Sequence, residues 1–361
     1  MAINEFVSGL SQKFGEIVIE KFTDIVSKIR ITPKTRRIIC VIVCVCVLLS
    51  GIGVFLYYGL RFQCSFNDGV LTLEKGFLGG KMPDYSFGKP NFQKESDADA
   101  YEIIFSDFPW FSHREEITKI VLKDGITSIS SAAFSDCLNL KEVYIPGSLT
   151  SIGAYAFHNC SSLEHIFLTD NVSYIGEYAF NQCHQLEEVN CNPAPVTVNG
   201  AGSIENNAFR NCDKLSHIEI PCSVTHIFGA FRNCSSLKKI KMPDSVTYIG
   251  DGTFENCSNL TETTISPNVT EIGQKAFSGC INLPKIVIPD GVTQIGDMAF
   301  SDCIELVEIE LPDSITQIKN QAFRNCIKLR EVSVPASVSS ADIKSAFPSW
   351  TTVTRQSEAN N

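Results

Sequence analysis

The sequence predicts a strand-rich α/β repeat solenoid with one helical turn per coil, preceded by an amphipathic helix and a single transmembrane helix. Three observations carry this. The motif Phe-x-x-Cys-x-x-Leu recurs nine times from Phe134 onward, residues 38–60 hold no charge, and residues 3–30 repeat apolar side chains at steps of three and four. The predicted divisions are a cytoplasmic helix and basic flank (1–37), a membrane anchor (38–60), a capping module (61–116), the solenoid (117–334) and a C-terminal cap with a polar tail (335–361).

At 361 residues, 44% hydrophobic and 19% charged, the chain is not disordered or collagen-like. Its net charge of −10 argues against nucleic acid as a partner, since binding phosphates needs an excess of cations. The charge is unevenly placed. Residues 1–37 carry seven Lys/Arg against four Asp/Glu, and residues 61–361 carry 23 against 36.

In the first segment Ile3, Phe6, Val7, Leu10, Phe14, Ile17, Val18, Phe22, Ile25, Val26 and Ile29 share one helical face. Pro33 ends it. The helix either lies on the inner leaflet or pairs with a second copy as a homo-oligomer; both readings stand.

Ile38 to Leu60 is 23 residues long. At ~1.5 Å per residue it spans a ~30 Å hydrocarbon core. Lys28, Arg30, Lys34, Arg36 and Arg37 precede it, whereas only Arg61 and Lys75 follow closely. The positive-inside rule then leaves the N-terminus in the cytoplasm and the acidic body outside. The run is too long for a cleaved signal peptide, which makes it a signal anchor in contact with the lipid bilayer. Cys40, Cys44 and Cys46 read as small apolar wall residues, acylation being the alternative.

From residue 117 self-similarity governs the chain. The motif phenylalanines are Phe134, Phe157, Phe180, Phe209, Phe231, Phe254, Phe277, Phe300 and Phe323, at steps of 23, 23, 29, 22, 23, 23, 23 and 23. Val292 to Pro312 shows the unit cleanly: VTQIGDMAFSDCIELVEIELP. Ile309 and Leu311 alternate at period two and read as a strand that Pro312 closes. Val292 and Ile295 mark a shorter extended piece ending at Gly296. The AFxxC stretch reads as one helical turn.

One unit cannot bury its own apolar side, but stacked units can. Their strands form a parallel sheet with a spacing of about 4.8 Å. The phenylalanines become a stacked spine and the nine motif cysteines buried fillers, whose spacing offers no zinc pattern. Cys191 and Cys222 fall outside the register on neighbouring coils; they are either free thiols or a pair.

These residues resemble the BspA-type leucine-rich repeats of bacterial and protist surface proteins over about 64–350. Cys64, Gly69 to Leu73, Met82, Asp84-Tyr85, Pro109-Trp110, Arg114 and Ile117 are similar to the module that precedes such repeats. Residues 86–108 are a longer polar insertion than that module usually has. The resemblance implies a leucine-rich-repeat solenoid, an extracellular binding surface for a protein or glycan in adhesion or host interaction, and no catalysis or cofactor. The chain has no HExxH, G-x-S-x-G, P-loop or G-x-G-x-x-G context, and its six histidines lack metal spacing. The alternative to a binding protein is a structural or signalling envelope protein acting through its cytoplasmic helix.

Alternation sends the residues flanking each inward strand position to the outside, from Glu142 and Tyr144 on the first strand to Glu331 and Ser333 on the ninth. Two groups are candidate ligand contacts. Tyr144, His165 and Phe167 form an aromatic group, and Lys239, Lys241 and Lys285 a basic island. Strand propensity and a solvated charge row are the plain alternatives. The insertion Asn192 to Ser203 is a predicted edge loop. Six N-x-S/T sequons occur (Asn159, Asn171, Asn233, Asn256, Asn259, Asn268), several of them arising from the N-C-S wording of the repeat.

Overall fold

The computed structural model describes residues 62–75, 108, 110–192 and 202–356. The predicted helix 3–30, the apolar run 38–60 and most of the insertion lie outside these residues. Among the described residues no helix is long and apolar enough to cross a membrane.

The repeats form a succession of short segments that stack coil upon coil. The IxI segments build a parallel sheet in strict register, Lys119 beside Glu142, Glu142 beside His165, His165 beside Glu188, and so onward. The short V-T-x-I segments build a second parallel sheet of nine two- to four-residue strands, from Ser128–Ile129 to Gln317–Ile318. Gly296 ends its segment because a Cβ there would stand 2.6 Å from the Gln274 nitrogen of the coil below.

The third side departs from expectation. Where the sequence suggests a helical turn, the structure forms consecutive tight turns with two left-handed residues per coil, at two positions before and two after each motif phenylalanine. Around Phe277 these are Lys275 (φ 54°) and Gly279 (φ 74°). Such residues cannot continue a right-handed helix. They turn alternate N–H groups along the solenoid axis instead. Lys275, Phe277 and Gly279 donate to the carbonyls of Asp297, Ala299 and Ser301 in the next coil, at 2.7–2.8 Å. Most coils are therefore hydrogen-bonded to their neighbours on all three sides, the strand face being interrupted after Glu262–Thr264 and after Glu308–Glu310, which leaves few buried backbone groups unpaired.

The spine runs past the repeat at both ends. Consecutive motif rings stack with centroids 5.0–5.5 Å apart. Trp110 continues the column at 5.5 Å from Phe134, and Phe108 stacks on Trp110. At the other end Phe347 stacks 4.6 Å from Phe323. Phe347 is carried there by a helix, Ser340–Ala346, whose N-cap Ser339 accepts from the Asp342 N–H. The caps thus supply the ring that a further coil would have supplied. The hairpin Phe62–Asn67 and Val70–Lys75 extends the long sheet at its first end, and at the other end Thr352–Arg355 pairs with Glu331–Val334 as a separate two-stranded sheet.

The motif cysteines do more than fill space. From Cys160 on, each thiol donates to the carbonyl of the phenylalanine one coil earlier, at 3.1–3.3 Å. That carbonyl also accepts the N–H of its own coil's cysteine, as Phe157 does from Cys160 at 3.3 Å. A serine would carry a costlier hydroxyl, and an alanine would lack the donor.

Two irregularities follow from sequence. Pro284 stands where Thr261 and Val307 each donate a strand-entry N–H to the coil before. Lacking that donor, it breaks the long sheet between Glu262–Thr264 and Lys285–Val287. The 22-residue step omits one residue before Phe231, and Phe228 occupies the place of the usual glycine. It packs against His226 (5.8 Å) and Tyr248 (5.5 Å) on the second sheet.

Replacing the central spine residue, Phe231→Ala, is expected to cost about 3–5 kcal/mol, measured by urea unfolding. Burial pushes the Cys137 and Cys326 thiols up to about 12, and raises Cys160, Cys183, Cys212, Cys257, Cys280 and Cys303 likewise. Raised thiols contribute stability that is complete below the unfolded value near 9 and is lost as pH climbs toward the folded one. The melting temperature should hold steady from pH 7 to 8 and fall beyond about pH 9, each thiol contributing up to ~1.4 kcal/mol per pH unit. A Cys257→Ala variant should show a shallower decline.

Candidate interaction surface

The strand face presents two outward rows, one on each side of the buried Val/Ile row. Their exposure follows directly from the pleat: Glu142 and Tyr144 are exposed around buried Val143, and Lys239 and Lys241 around buried Ile240. Because the strands are parallel and in register, a residue's sideways neighbours are its counterparts in the adjacent coils.

Tyr144, His165 and Phe167 come together on two adjacent strands, Glu142–Tyr144 and His165–Thr169. Tyr144 is 52% exposed and Phe167 58%. Tyr144 is held by its neighbours. The Lys119 ammonium lies 4.3 Å from its ring centroid, and its hydroxyl donates to Glu142 Oε2 at 3.2 Å. Phe167 stands in register beside Asn190, and His165 is half-buried between Glu142 and Glu188.

The basic island does not stand free. Lys239 pairs with Glu262 on the next strand at 2.5 Å, and Lys285 with Glu308 at 3.0 Å and Glu310 at 2.9 Å. Lys241 lies in register between Glu219 and Thr264. The hydrogen bonds that the Lys285 ammonium donates to Glu310 and Glu308 hold it above its usual range. Lys119 and Glu142 form the same kind of pair at 3.1 Å, which raises Lys119 and lowers Glu142. Lys119 belongs to this row although it precedes the first Phe-x-x-Cys motif; the signal for it was the KIVL alternation of residues 119–122.

Other expectations resolve simply. Cys222 is an exposed free thiol, and the Cys191 side chain lies outside the description. All six sequon asparagines use their side-chain N–H to bond the preceding coil: Asn159 to Asp136, Asn171 to Gly147, Asn233 to Asn211, Asn256 to Asn233, Asn259 to Ser235 and Asn268 to Asp244, at 2.8–3.0 Å. These asparagines are repeat ladders. Among the described residues no three His, Cys, Asp or Glu side chains are grouped to hold a metal ion. The aromatic group His226, Phe228 and Tyr248 was not anticipated; the one-residue shortening of its coil was the available sign.

The profile of the BspA type leucine-rich repeat region (6 copies) matches residues 108–229 and 228–354. The chain belongs to the BspA-type leucine-rich repeat family. The Trp110 cap and the Phe347 cap both fall inside this match, in keeping with their place in the ring column. No curated protein matches the chain. Among solved structures it is similar to a leucine-rich cell surface protein of Faecalibacterium prausnitzii, at 25% identity and TM-score 0.34, covering 79% of this chain and 95% of that one. It is also similar to a leucine-rich repeat protein of Eubacterium ventriosum (22%, TM-score 0.38, 84% and 98% covered). A third is the leucine-rich repeat protein of T. pallidum (18%, TM-score 0.41, 81% and 97% covered).

The Glu142 carboxyl owes its lowered position first to the Lys119 hydrogen bond. In Lys119→Met its titration midpoint, followed by carboxylate NMR shifts, should rise toward the ordinary glutamate range.

Proposed function

We propose that this chain is a membrane-anchored cell-surface protein whose solenoid binds a protein or glycan ligand through its strand face, in adhesion or host interaction. The observation that carries the reading is Phe167. A ring 58% exposed adds nothing to the core, and most coils place Asn, Glu, Lys, Thr or Ser in this row, Tyr144 and Val287 being its other exposed apolar members. The fold accepts polar residues at the same register position in Asn190, Glu219, Lys241 and Thr264, which makes an aromatic there a choice rather than a requirement.

Large rings that project from a rigid face are the residues on which recognition energy concentrates. Tyr144 is already fixed in orientation by Lys119 and Glu142, so a partner would order it at little entropic cost. His165, between two carboxylates, adds a polar edge to the same patch. Lys239, Lys241 and Lys285 contribute the charge pattern of the remaining face. The anchor is the uncharged run 38–60 with its basic leading flank, which would leave this face outside the cell.

The test is capture of the full chain, in non-ionic detergent, on arrays of extracellular-matrix proteins and glycans. Phe167→Ser should lower ligand binding at least tenfold, about 1.4 kcal/mol, without moving the melting temperature. Unchanged binding removes the patch from the recognition surface. Recovery of the intact chain in the aqueous fraction of cells would remove the anchor.

A further inference from the structure

The first outward row of the strand face has a sign pattern that intramolecular pairing does not account for. From Lys119 the row reads basic, acidic, His, acidic through Glu188, then His217, then basic, acidic, basic, acidic from Lys239 to Glu308, and it ends on a second acidic residue, Glu331, beyond the span matched below. Alternation is what in-register stacking requires, because like charges on adjacent strands repel. At His217 and Lys239 the alternation slips by one step, and two basic-type residues stand side by side. Within the chain this slip gains nothing.

The slip makes the row complementary to its own reverse. Place a two-fold axis along the strand His217–Glu219 and oppose two strand faces. Glu188 then meets Lys239 of the second copy, and His165 meets Glu262. Farther out, Glu142 meets Lys285 and Lys119 meets Glu308. Each contact occurs twice, and every one of these pairs joins an acidic residue to a basic one or to histidine. Moving the axis by half a strand step sets Glu188 against Glu262 and Glu142 against Glu308. An unbroken alternation would set like against like about the original axis. The charge pattern therefore selects one geometry.

The second outward row agrees independently. About the same axis Tyr144 meets Val287, 52% and 49% exposed, and Phe167 meets Thr264 beside it. These are two of the exposed apolar sites on the face, at opposite ends of the solenoid, and the symmetry joins them. The one like-charged contact is Glu219 with itself on the axis, and its own His217 Nε2 stands 3.8 Å away.

We propose that the strand face docks a second copy of this chain, antiparallel and face to face, about the His217–Glu219 strand. The proposal rests on the reading of this face as the recognition surface and names a partner for it. A strip about 40 Å long and three residues wide buries on the order of 1,000 Å² in total, the size of a weak, reversible contact. Sheet twist makes the contact closest at the centre, so the pairs nearest the axis matter most.

The test uses the full chain in non-ionic detergent and two variants, Glu188→Lys and Lys239→Glu. Wild type should self-associate in sedimentation velocity, less so as salt is raised to about 0.5 M. Each variant alone should associate at least tenfold more weakly. An equimolar mixture of the two should associate again, because one chain then carries Lys and the other Glu at both positions. A mixture that stays monomeric overturns the proposal, as does association that neither variant weakens. Carbodiimide coupling of mixed isotope-labelled chains gives a second readout. Glu142 and Lys285 lie six strands apart, so a link between them forms only between copies; its absence from a coupled dimer also overturns the geometry. Loss of foreign ligand capture in Phe167→Ser, with no self-association in any sample, would leave the strand face a recognition surface for other molecules only.

Discussion

The structure depends on one constraint: every coil repeats with the same register, so each side chain is stacked against its own counterpart about 5 Å away. Rings satisfy this best. A phenylalanine presents one face up and one face down, and the column from Phe108 to Phe347 needs no second partner type. The same logic recurs with other chemistry. A thiol donates to the carbonyl one coil earlier, an asparagine amide to the carbonyl or amide below it, a threonine hydroxyl to the threonine carbonyl before it. Each of these groups is both donor and acceptor along the axis, or has a backbone carbonyl within reach. Self-stacking is neutral or favourable for all of them.

Charged residues are the class for which self-stacking fails. A column of identical ammonium or carboxylate groups at this spacing would repel. On the strand face the chain answers by alternation, seen as the pairs Lys119–Glu142, Lys239–Glu262 and Lys285–Glu308. These pairs are exposed to solvent, so each contributes little to stability. They avoid a penalty more than they add stability. Lysines that look like an island along the sequence are, in space, one half of a neutralised row.

Much of the solenoid was legible because a period of 23 residues announces stacking before any secondary structure is assigned. Phe, Leu, Ile and Pro at fixed offsets located both strand segments and the spine. The conformation of the AFxxC stretch was not legible. Left-handed geometry falls on Lys275, Met298 and Tyr178 as well as on Asn and Gly, and nothing in those residue types reveals it. It is imposed by the demand that alternate N–H groups point along the axis. The aromatic end plates were half legible. Pro109-Trp110 was recognised as part of a cap, yet only packing shows that Trp110 and Phe347 occupy ring positions of the column. Of the surface, alternation named the outward residues correctly, but their partners depend on which strand lies beside which.

Departures from the repeat then become the informative positions, because the fold itself does not ask for them. Pro284 removes a donor and interrupts the long sheet at a point where Thr263 replaces the usual buried Ile and leaves its hydroxyl without a hydrogen-bond partner. Phe228 fills the gap of a shortened coil. Phe167 puts a ring where most coils have polar groups, and His217 beside Lys239 breaks the alternation of charge. The first two are absorbed by neighbouring packing and need no partner. The last two lie on the outward strand rows, where no other part of the described chain covers them. A repeat protein varies its sequence freely only where stacking does not decide the residue. Deviations that stacking neither requires nor repays are therefore the ones whose cause lies outside the coil, on whatever meets that face.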